Sequence, residues 1–385
     1  MSSLKENNEP DVFVVADNIL SPLGKTTAQN FSKLKQQVSA VKQYHHPNIS
    51  AQPFYASLFG SDEGFLKIDP HRYTKFEQLL IASIADGLQD SGIMVSDKKT
   101  VLVISSTKGN ISLLENEAMS EILKERIALP ASAKLISDYF GFVNPPIIIS
   151  NACISGVLAI TIGMRLLRAG QFENAVIAGA DVISKFIFSG FESFQALSPQ
   201  ICKPFDRLRD GLNLGEGAAT IILSTNKKYS QHVKVKGGAV SNDANHISGP
   251  SRTGKELAGA IKQAMQDAAV TSTDIDFISA HGTATVYNDE MEANAFFLTD
   301  LQSTPVNSLK AYYGHTLGAA GLIESIISVQ SMKENLVLPT LGFELKGVTQ
   351  PLNVCNNLLQ GDFKICLKTA SGFGGCNGAV VFGKD

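Results

Sequence analysis

The sequence predicts an α/β fold in which mixed sheets are covered by helices, and two observations lead to this prediction. Short runs of β-branched and apolar residues alternate along the chain with longer segments of helical periodicity. Two strand-to-helix junctions also resemble each other, one within residues 145–160 and one within residues 305–327. Alternation of this kind is typical of helices that pack on β-sheets.

The predicted strands are short and rich in valine and isoleucine, as expected for buried strands. They comprise residues 11–15, 101–104, 146–149, 175–178, 219–223, 233–236, 276–279, 363–367 and 378–382. The predicted helices between them comprise residues 78–91, 155–169, 253–269, 289–297 and 318–332. The likeness of the two junctions has two interpretations: a coincidence between two buried helices, or a duplicated fold whose halves meet at one active site.

The composition excludes several classes of protein. Hydrophobic residues make up 44% and charged residues 18% of the 385 residues, which fits a packed globular chain rather than a disordered one. The net charge of −3 gives no basic surface, so neither nucleic acid nor membrane is predicted as a partner. No apolar run is long enough to span a bilayer, and the first ten residues do not resemble a signal peptide.

The cysteines predict a reducing compartment. Their number is odd and they form no CxxC pair, so a disulfide framework or a zinc site is not predicted: Cys153, Cys202, Cys355, Cys366 and Cys376. We therefore expect a cytoplasmic protein.

Cys153 lies where a predicted strand passes into a predicted helix. A thiol at a helix N-terminus is near unpaired backbone N–H groups and the positive end of the helix dipole, and both favour the nucleophilic thiolate. Taken alone, Cys153 is equally well interpreted as a packed core cysteine. A glycine-rich loop at residues 371–377 offers a further backbone N–H donor for an oxyanion.

Two histidines occupy positions typical of active sites. His281 directly follows the predicted strand at residues 276–279, and the ends of strands in α/β folds commonly carry such sites. His315 lies at the start of the second apolar helix, five residues after Lys310. Because a helix N-terminus disfavours imidazolium, we expect His315 to be neutral and able to donate a hydrogen bond.

Together these segments resemble the elongating β-ketoacyl-acyl-carrier-protein synthases of the thiolase-like superfamily. The resemblance extends over nearly the whole chain and is carried by motifs in a fixed order, at residues 150–156, 203–206, 209–211, 214–217, 243–248, 280–285, 310–315, 319–321 and 372–375, together with Asp289, Glu292, Glu324 and Asn377.

The resemblance implies a five-layered α-β-α-β-α fold of two pseudo-duplicated halves. Residues 1–232 form the half with the nucleophile, and residues 233–385 form the half with both catalytic histidines. It also implies a decarboxylating Claisen condensation of an acyl thioester with malonyl-carrier protein, through an acyl-enzyme on Cys153. The expected partners are an acyl carrier protein and a second copy of the chain, or instead a subunit like a chain-length factor.

The resemblance further assigns roles to individual residues. His281 and His315 promote decarboxylation, Lys310 acts beside them, and Glu324 supports Lys310. The backbone N–H groups of Cys153 and Phe373 form the oxyanion hole, and Phe373 also gates the acyl pocket. The residues expected to bind substrate are Thr283, Thr285, Ser248, Phe373 and Asn377. No metal and no cofactor are expected, apart from the phosphopantetheine arm of the carrier protein.

Several positions depart from the pattern of the family. Ser371 stands where a second phenylalanine is common, and residues 286–288 replace a segment with proline and glycine. Ile154 is bulkier than usual, Tyr312 and Tyr313 replace smaller residues, and the stretch 108–144 is short. These departures favour a specialised polyketide or aryl-polyene pathway over housekeeping fatty-acid synthesis.

Two other functions compete with this interpretation. A non-catalytic subunit resembling a chain-length factor typically lacks the nucleophile, which is intact here as Cys153. A thiolase uses a second cysteine as base, and Cys376 lies beside the glycine-rich loop. However, Cys376 follows the glycines, whereas the thiolase base precedes its glycine run.

Overall fold

A computed structural model describes residues 9–60, 68–245 and 249–385. Within these residues the strands are β1 (Phe13–Leu20), β2 (Lys42–Tyr44), β3 (Phe54–Ser57), β4 (Thr100–Ser105), β5 (Ile147–Ile149), β6 (Asn174–Asp181), β7 (Leu214–Gly215), β8 (Gly217–Ser224), β9 (Lys234–Asn242), β10 (Phe277–Ser279), β11 (Val306–Asn307), β12 (Leu336–Val337), β13 (Leu359–Gln360), β14 (Ile365–Gly372) and β15 (Cys376–Gly383).

The helices of the described residues are α1 (Thr27–Lys35), α2 (Lys75–Gln89), α3 (Glu121–Ile127), α4 (Leu129–Phe140), α5 (Ser155–Arg168), α6 (Lys185–Ser193), α7 (Lys255–Asp267), α8 (Val286–Phe297), α9 (Lys310–Tyr313) and α10 (Ala320–Lys333). None of them has the length and apolar character that a bilayer-crossing helix requires.

The main sheet consists of two five-stranded halves with the same topology. Its order is β11-β10-β14-β15-β9-β1-β8-β6-β4-β5. The five strands of each half can be numbered in chain order. The first strand pairs antiparallel with the fifth, and the fifth pairs antiparallel with the fourth. The second strand pairs parallel with the fourth on one side and with the third on the other. The halves join where β1 pairs with β9 at Phe13 and Lys234. This repetition favours the duplicated fold over a coincidence.

Two apolar helices lie between the halves of the sheet. Both α5 and α10 contact strands of the first half and strands of the second half, whereas α2 covers the outside of the first half and α7 covers the outside of the second. The resulting order of layers is helix, sheet, helix, sheet, helix. It confirms the predicted five-layered α-β-α-β-α fold, while the division at residues 232 and 233 stays a prediction.

Glycines allow the two central helices to approach each other closely. A Cβ added to Gly156 of α5 would lie 2.6 Å from the backbone nitrogen of Leu322 in α10. A Cβ added to Gly321 of α10 would lie 2.6 Å from the nitrogen of Val157 in α5. The backbones therefore touch where the helices begin, and this contact fixes the distance between the two segments that precede them.

All nine predicted strands and all five predicted helices are present, with ends that differ by a few residues. One difference matters for the site. The second apolar helix begins at Ala320 after a 3₁₀ turn at Leu317–Ala319, so the prediction that His315 lies at the helix start was wrong. His315 instead forms an isolated β-bridge with Leu214, because Gly314 (φ 68°) turns the chain toward β7.

Candidate active site

A cavity of about 790 Å³ opens at the ends of the strands that precede the two central helices. Cys153 follows β5 and precedes α5, and His315 follows β11 and precedes α10, so the duplication places them at equivalent positions. The walls are formed by residues from both halves: Cys153, Phe191, Phe194, Gln195, Ala196, Asp210, Gly211, Leu212, Asn245, Gly249, Pro250, Arg252, His281, Thr283, Thr285, Val286, Tyr287, Asn288, His315, Ser371, Gly372, Phe373 and Gly375.

Cys153 is held by a tight turn between strand and helix. Ala152 has a positive φ of 43°, a conformation that L-residues rarely adopt. The hydroxyl of Ser155 accepts a hydrogen bond from the backbone nitrogen of Asn151 at 2.8 Å and donates to the carbonyl of Ala152 at 2.7 Å. These two bonds stabilise the strained turn and direct the thiol of Cys153 to the cavity wall.

The buried position of Cys153 favours the protonated thiol over the thiolate that a helix N-terminus would favour. Burial raises the pKa of Cys153 to about 12, and the neighbouring Cys376 raises it further. The charge of Lys310 and the backbone N–H of Phe373 lower this pKa, but they do not outweigh burial. Nucleophilic attack by Cys153 therefore requires a neighbouring base that accepts its proton.

The predicted oxyanion-hole donors lie together. The N–H of Phe373 is directed at the sulfur of Cys153. A Cβ on Gly372 would lie 2.9 Å from the backbone nitrogen of Cys153, so only glycine allows the loop between β14 and β15 to come this close. The N–H groups of Cys153 and Phe373 thus lie beside the nucleophilic sulfur, which is the arrangement that an acyl-transfer site requires.

The backbone around His281 is fixed through its N–H groups. The carboxylate of Glu292 in α8 accepts the N–H of His281 at 2.8 Å and the N–H of Gly282 at 2.6 Å. It also accepts the hydroxyl of Thr369 at 2.9 Å. Next to it, Asp289 accepts the N–H of Thr283 at 3.0 Å. Two buried carboxylates therefore shape the turn that brings His281 to the cavity.

The two histidines and the cysteine form one cluster. The rings of His281 and His315 meet edge to face with centroids 5.1 Å apart. The Cys153 sulfur and one nitrogen of each ring lie within 4.8 Å of one another. Thiolate and imidazole are also zinc ligands. The absence of a metal stays a prediction, whereas the backbone donor at the sulfur favours acyl transfer.

Both histidines are neutral. Burial lowers the pKa of His281 and of His315 well below 6.5, and the positive charges of Lys310 and Lys368 lower both further. The expected neutral state of His315 agrees with this direction, but its cause is burial and lysine charge rather than a helix terminus. A neutral imidazole can accept the proton of Cys153 or donate a hydrogen bond to a developing enolate.

Lys310 lies behind the histidines and does not line the cavity. Its ammonium donates to the carbonyl of His281 at 2.9 Å, lies 3.5 Å from His281 Nδ1 and forms a buried ion pair with Glu324. This placement supports the role predicted for Glu324. It makes Lys310 a positioning residue rather than one that touches the substrate.

The predicted substrate-binding residues are divided between the cavity and its surroundings. Thr283 and Thr285 line the cavity, and their hydroxyls are hydrogen-bonded to each other at 2.9 Å. Asn377 is buried away from the cavity wall, where it accepts the hydroxyl of Ser371 at 2.8 Å and donates to the carbonyl of Gly375. Asn377 thus shapes the glycine-rich loop, contrary to the prediction of substrate contact. Ser248 lies outside the described residues.

Three phenylalanines form an aromatic cluster at the cavity. The ring of Phe373, predicted to gate the acyl pocket, stacks on Phe191 at 5.4 Å and meets Phe194 edge to face at 5.3 Å. The ring of Phe191 in turn contacts His315 at 6.4 Å. Phe191 and Phe194 were not predicted as site residues; they lie in and just after α6, a helix that was not predicted from the sequence either.

Asp181 at the end of β6 was also missed. Its carboxylate accepts the hydroxyl of Ser106 at 2.8 Å and the N–H groups of Thr107 at 3.2 Å and Gly318 at 2.6 Å. Burial raises the pKa of Asp181 to about 6. The residue joins the loop after β4 to the turn that follows His315. Only its position at a strand end could have signalled this role in the sequence.

The thiol of Cys376 does not line the cavity. Its sulfur donates weakly to the carbonyls of Phe373 at 3.5 Å and Asn151 at 3.7 Å. The sulfur also accepts a hydrogen bond from the backbone N–H of Ile154. Cys376 therefore packs behind the nucleophile turn, where a substrate in the cavity would not meet it, and this location disfavours a thiolase base.

Comparison with known proteins gives consistent results. Residues 9–229 match the family model of the N-terminal domain of β-ketoacyl synthases, and residues 232–344 match the model of the C-terminal domain. The 3-oxoacyl-acyl-carrier-protein synthase 2 of Vibrio cholerae serotype O1 is 30% identical, covering 96% of this chain and 98% of the relative. Its counterpart in Vibrio harveyi is 31% identical, covering 97% and 98%.

Similar solved structures share the fold of this chain. The ishigamide ketosynthase/chain length factor superposes with a TM-score of 0.88 at 24% identity, covering 98% of this chain and 100% of the other. A β-ketoacyl synthase from Burkholderia phymatum has a TM-score of 0.87 at 24% identity, with the same coverage. These likenesses establish the fold, and the family models span more than half of the sequence. The chain therefore belongs to the β-ketoacyl synthase family.

Proposed function

We propose that this protein condenses an acyl thioester with malonyl-acyl-carrier protein, with loss of CO₂, to give a β-ketoacyl-carrier protein. The observation that carries the proposal is the cluster of Cys153, His281 and His315 in one cavity, with the N–H groups of Cys153 and Phe373 at the sulfur. The two Vibrio relatives are named after this activity, and the alignment with this chain covers 98% of each relative.

The first half-reaction transfers the acyl group to Cys153. A neutral histidine accepts the thiol proton as the sulfur attacks the thioester carbonyl, and the N–H groups of Cys153 and Phe373 stabilise the oxyanion. The bond from carbonyl carbon to carrier sulfur then breaks. The carrier thiolate takes up the proton and leaves as a free thiol, so the enzyme holds a thioester on Cys153.

The second half-reaction forms the carbon–carbon bond. The malonyl group loses CO₂, and the electron pair of the broken bond stays on the remaining fragment as an enolate. The enolate oxygen accepts hydrogen bonds from the N–H groups of the neutral His281 and His315 rings. The enolate carbon attacks the acyl group on Cys153. The tetrahedral intermediate collapses to the β-keto product and a Cys153 thiolate, which takes one proton from the solvent and becomes the thiol again. In this scheme the carbon nucleophile needs no metal or cofactor.

We further propose that an acyl carrier protein delivers both substrates through its phosphopantetheine arm. Thr283 and Thr285 are the candidate contacts for this arm, because both residues line the cavity and their hydroxyls are hydrogen-bonded to each other. A type II polyketide ketosynthase has been solved with its acyl-carrier protein, and another ketosynthase with its chain length factor. We propose that this chain forms either a homodimer or a heterodimer with such a factor. We also expect it to act in the cytoplasm.

The pathway belongs to the same proposal. Relatives of this chain include the granaticin polyketide putative β-ketoacyl synthase 1 of Streptomyces violaceoruber, which is 27% identical over 96% of this chain and 97% of the relative. Ser371 lines the cavity in place of a bulkier side chain, next to the aromatic cluster of Phe191, Phe194 and Phe373. These features support a specialised polyketide or aryl-polyene pathway.

A condensation assay tests the proposed function. Purified protein is mixed with a panel of acyl-carrier proteins and malonyl-carrier protein, and the carrier-bound products are weighed by mass spectrometry. We expect a β-ketoacyl product with wild type and none with Cys153→Ala. Activity of the homodimer alone would rule out an obligate chain-length factor. Thiolytic cleavage of acetoacetyl-CoA that disappears in Cys376→Ala, without any condensation, would overturn the proposal in favour of a thiolase.

A further inference from the structure

Behind the two histidines lies a buried cluster of three charged side chains. Lys310 and Lys368 both form ion pairs with Glu324, one with each carboxylate oxygen, and Lys368 Nζ lies 2.7 Å from Glu324 Oε2. None of the three is more than 3% exposed. One carboxylate therefore faces two ammonium groups, and the mechanism above does not explain why a second lysine is buried here.

Lys368 also binds the backbone that leads into His281. It lies on β14 opposite Ser279 of β10, and its ammonium donates to the carbonyls of Ser279 at 3.1 Å and Ala280 at 3.0 Å. Lys310 donates to the next carbonyl, that of His281. Three successive carbonyl oxygens thus accept hydrogen bonds from two ammonium groups.

The opposite side of the same segment is fixed as well. Glu292 accepts the N–H groups of His281 and Gly282, as described above. Every polar backbone group from the Ala280 carbonyl to the Gly282 nitrogen is therefore bound to a buried charge. A purely structural strand end needs no such arrangement, because backbone pairing satisfies these groups at far lower desolvation cost.

We propose that Lys368 is a positioning residue of the condensation, which fixes the backbone of His281 and adds the second buried positive charge behind both histidines. The inference rests on the proposed function, in which His281 and His315 act as neutral rings. Lys368 lies behind the histidines and not on the cavity wall, so it acts through them rather than on the substrate.

The charges around the histidines agree with this role. Burial lowers the pKa of both rings first, and the charges of Lys310 and Lys368 lower both further. The charged and titratable groups packed around the rings come from several elements: Cys153 before α5, Glu292 on α8, Lys310 on α9, Glu324 on α10 and Lys368 on β14. Lys368 also interacts with Glu292, so its removal takes one positive charge from a group of two lysines and two carboxyl groups.

Three substitutions separate charge from packing. Lys368→Met removes the charge and the hydrogen bonds, Lys368→Gln keeps an amide donor without charge, and Lys368→Arg keeps the charge. Lys384→Met is the matched control, because Lys384 also donates to a backbone carbonyl, that of Met332, but neither residue lines the cavity. The pKa values of His281 and His315 are measured by NMR on histidine-labelled protein, with assignments from His281→Gln and His315→Gln.

We expect the histidine pKa values to rise by about one unit or more in Lys368→Met and Lys368→Gln, since a nearby charge shifts a pKa by roughly 1–3 units. Lys368→Arg and Lys384→Met should leave them near the wild-type values. If Lys368→Met does not fold, the comparison of Lys368→Gln with Lys368→Arg decides. Equal histidine pKa values in all folded variants would overturn the proposal.

The reaction provides a second readout. Malonyl-pantetheine is added to enzyme already acylated on Cys153, and the loss of the acyl group is followed between pH 5 and pH 9. We expect the acid limb of Lys368→Gln to move up by about one pH unit, a roughly tenfold loss on that limb. A uniform loss at every pH would indicate a structural role only. Wild type that is never acylated would contradict the proposed function, whereas the NMR titration would still test Lys368.

Discussion

At the scale of single residues, the reacting groups of the site are uncharged. Cys153 is a thiol with a pKa of about 12, and His281 and His315 are uncharged imidazoles. The buried charge lies one layer behind, in Lys310, Lys368 and Glu324. Acylation therefore depends on proton transfer from Cys153 to a histidine during the attack, and not on a preformed thiolate.

The high pKa of Cys153 predicts how its alkylation depends on pH. Below a pKa of about 12 the thiolate fraction grows tenfold per pH unit, so the rate of alkylation by iodoacetamide should rise between pH 6 and pH 9 without a plateau. Mass spectrometry of the Cys153 peptide measures this rate, and Cys153→Ala reports labelling at the other cysteines. A plateau near neutral pH would show a stable thiolate and contradict the buried-thiol description.

The histidines carry a second prediction. In His281→Gln and His315→Gln we expect decarboxylation of malonyl-carrier protein to fall by about 10²–10³-fold, the usual effect of removing one preorganised donor. The control is His232→Gln, because His232 contacts Tyr229 and lies outside the cavity wall. Decarboxylation at the wild-type rate in either cavity variant would remove that histidine from the mechanism.

At the scale of elements, the position of the site depends on two helices that start at a shared contact. The segments before α5 and α10 present Cys153 and His315 to one cavity because Gly156 and Gly321 let the helices touch. The sequence predicted both helices, since long apolar segments leave a clear periodicity. It did not predict the exact start of α10, because the 3₁₀ turn and the bridge of His315 to Leu214 depend on contacts distant in sequence.

The close contact between α5 and α10 predicts that a methyl group added at Gly156 lowers both stability and activity. In Gly156→Ala the new Cβ would lie 2.6 Å from the backbone nitrogen of Leu322, so we expect the free energy of unfolding to fall by about 1–3 kcal/mol. Condensation should fall as well, because the nucleophile and His315 are pushed apart. Unfolding in urea measures the first effect and a carrier-protein assay the second.

The control for this substitution is Gly259→Ala in α7, where a Cβ meets nothing within 4 Å. We expect it to be neutral or to stabilise the protein by about 0.5–1 kcal/mol, since alanine is the better helix former. If Gly156→Ala were as stable and as active as Gly259→Ala, the close approach of the helices would not be what sets the site.

The limits of prediction from the sequence follow from the same physics. Cys153, His281, His315 and the glycine-rich loop could be predicted because they lie in motifs whose order along the chain resembles that of a known family. The role of Lys368 could not be predicted, because the sequence of a strand does not show that a lysine ammonium on it reaches the carbonyls of Ser279 and Ala280. Asn377 was assigned to substrate binding from the family resemblance, and its bonds to Ser371 and Gly375 are visible only in the folded loop.

At the scale of the whole molecule, buried carboxyl groups couple stability to pH. Burial raises the pKa of Asp181 to about 6 and that of Asp289 to about 7. In the unfolded chain both titrate near 3.8, so between about pH 4 and pH 7 the folded state binds more protons than the unfolded state. Their contribution to the free energy of unfolding therefore decreases as pH rises through this window.

Asp289→Asn tests this coupling. In the variant the amide cannot ionise, and its oxygen can still accept the N–H of Thr283 or of Phe205, so we expect a smaller loss of stability between pH 5 and pH 7.5 than in wild type. The difference should be on the order of a few kcal/mol, measured by urea unfolding at both pH values. The same pH dependence in both proteins would contradict the raised pKa of Asp289.

The central claim is that Cys153 carries the growing acyl chain, and intact-protein mass spectrometry tests it most directly. Wild type and Cys153→Ala are each mixed with a panel of acyl-carrier proteins, and malonyl-carrier protein is then added. We predict that wild type gains the mass of an acyl group, that Cys153→Ala does not, and that malonyl-carrier protein removes this mass as a β-ketoacyl product forms. An acyl mass that persists in Cys153→Ala, or the absence of any acylation in wild type, would contradict the account.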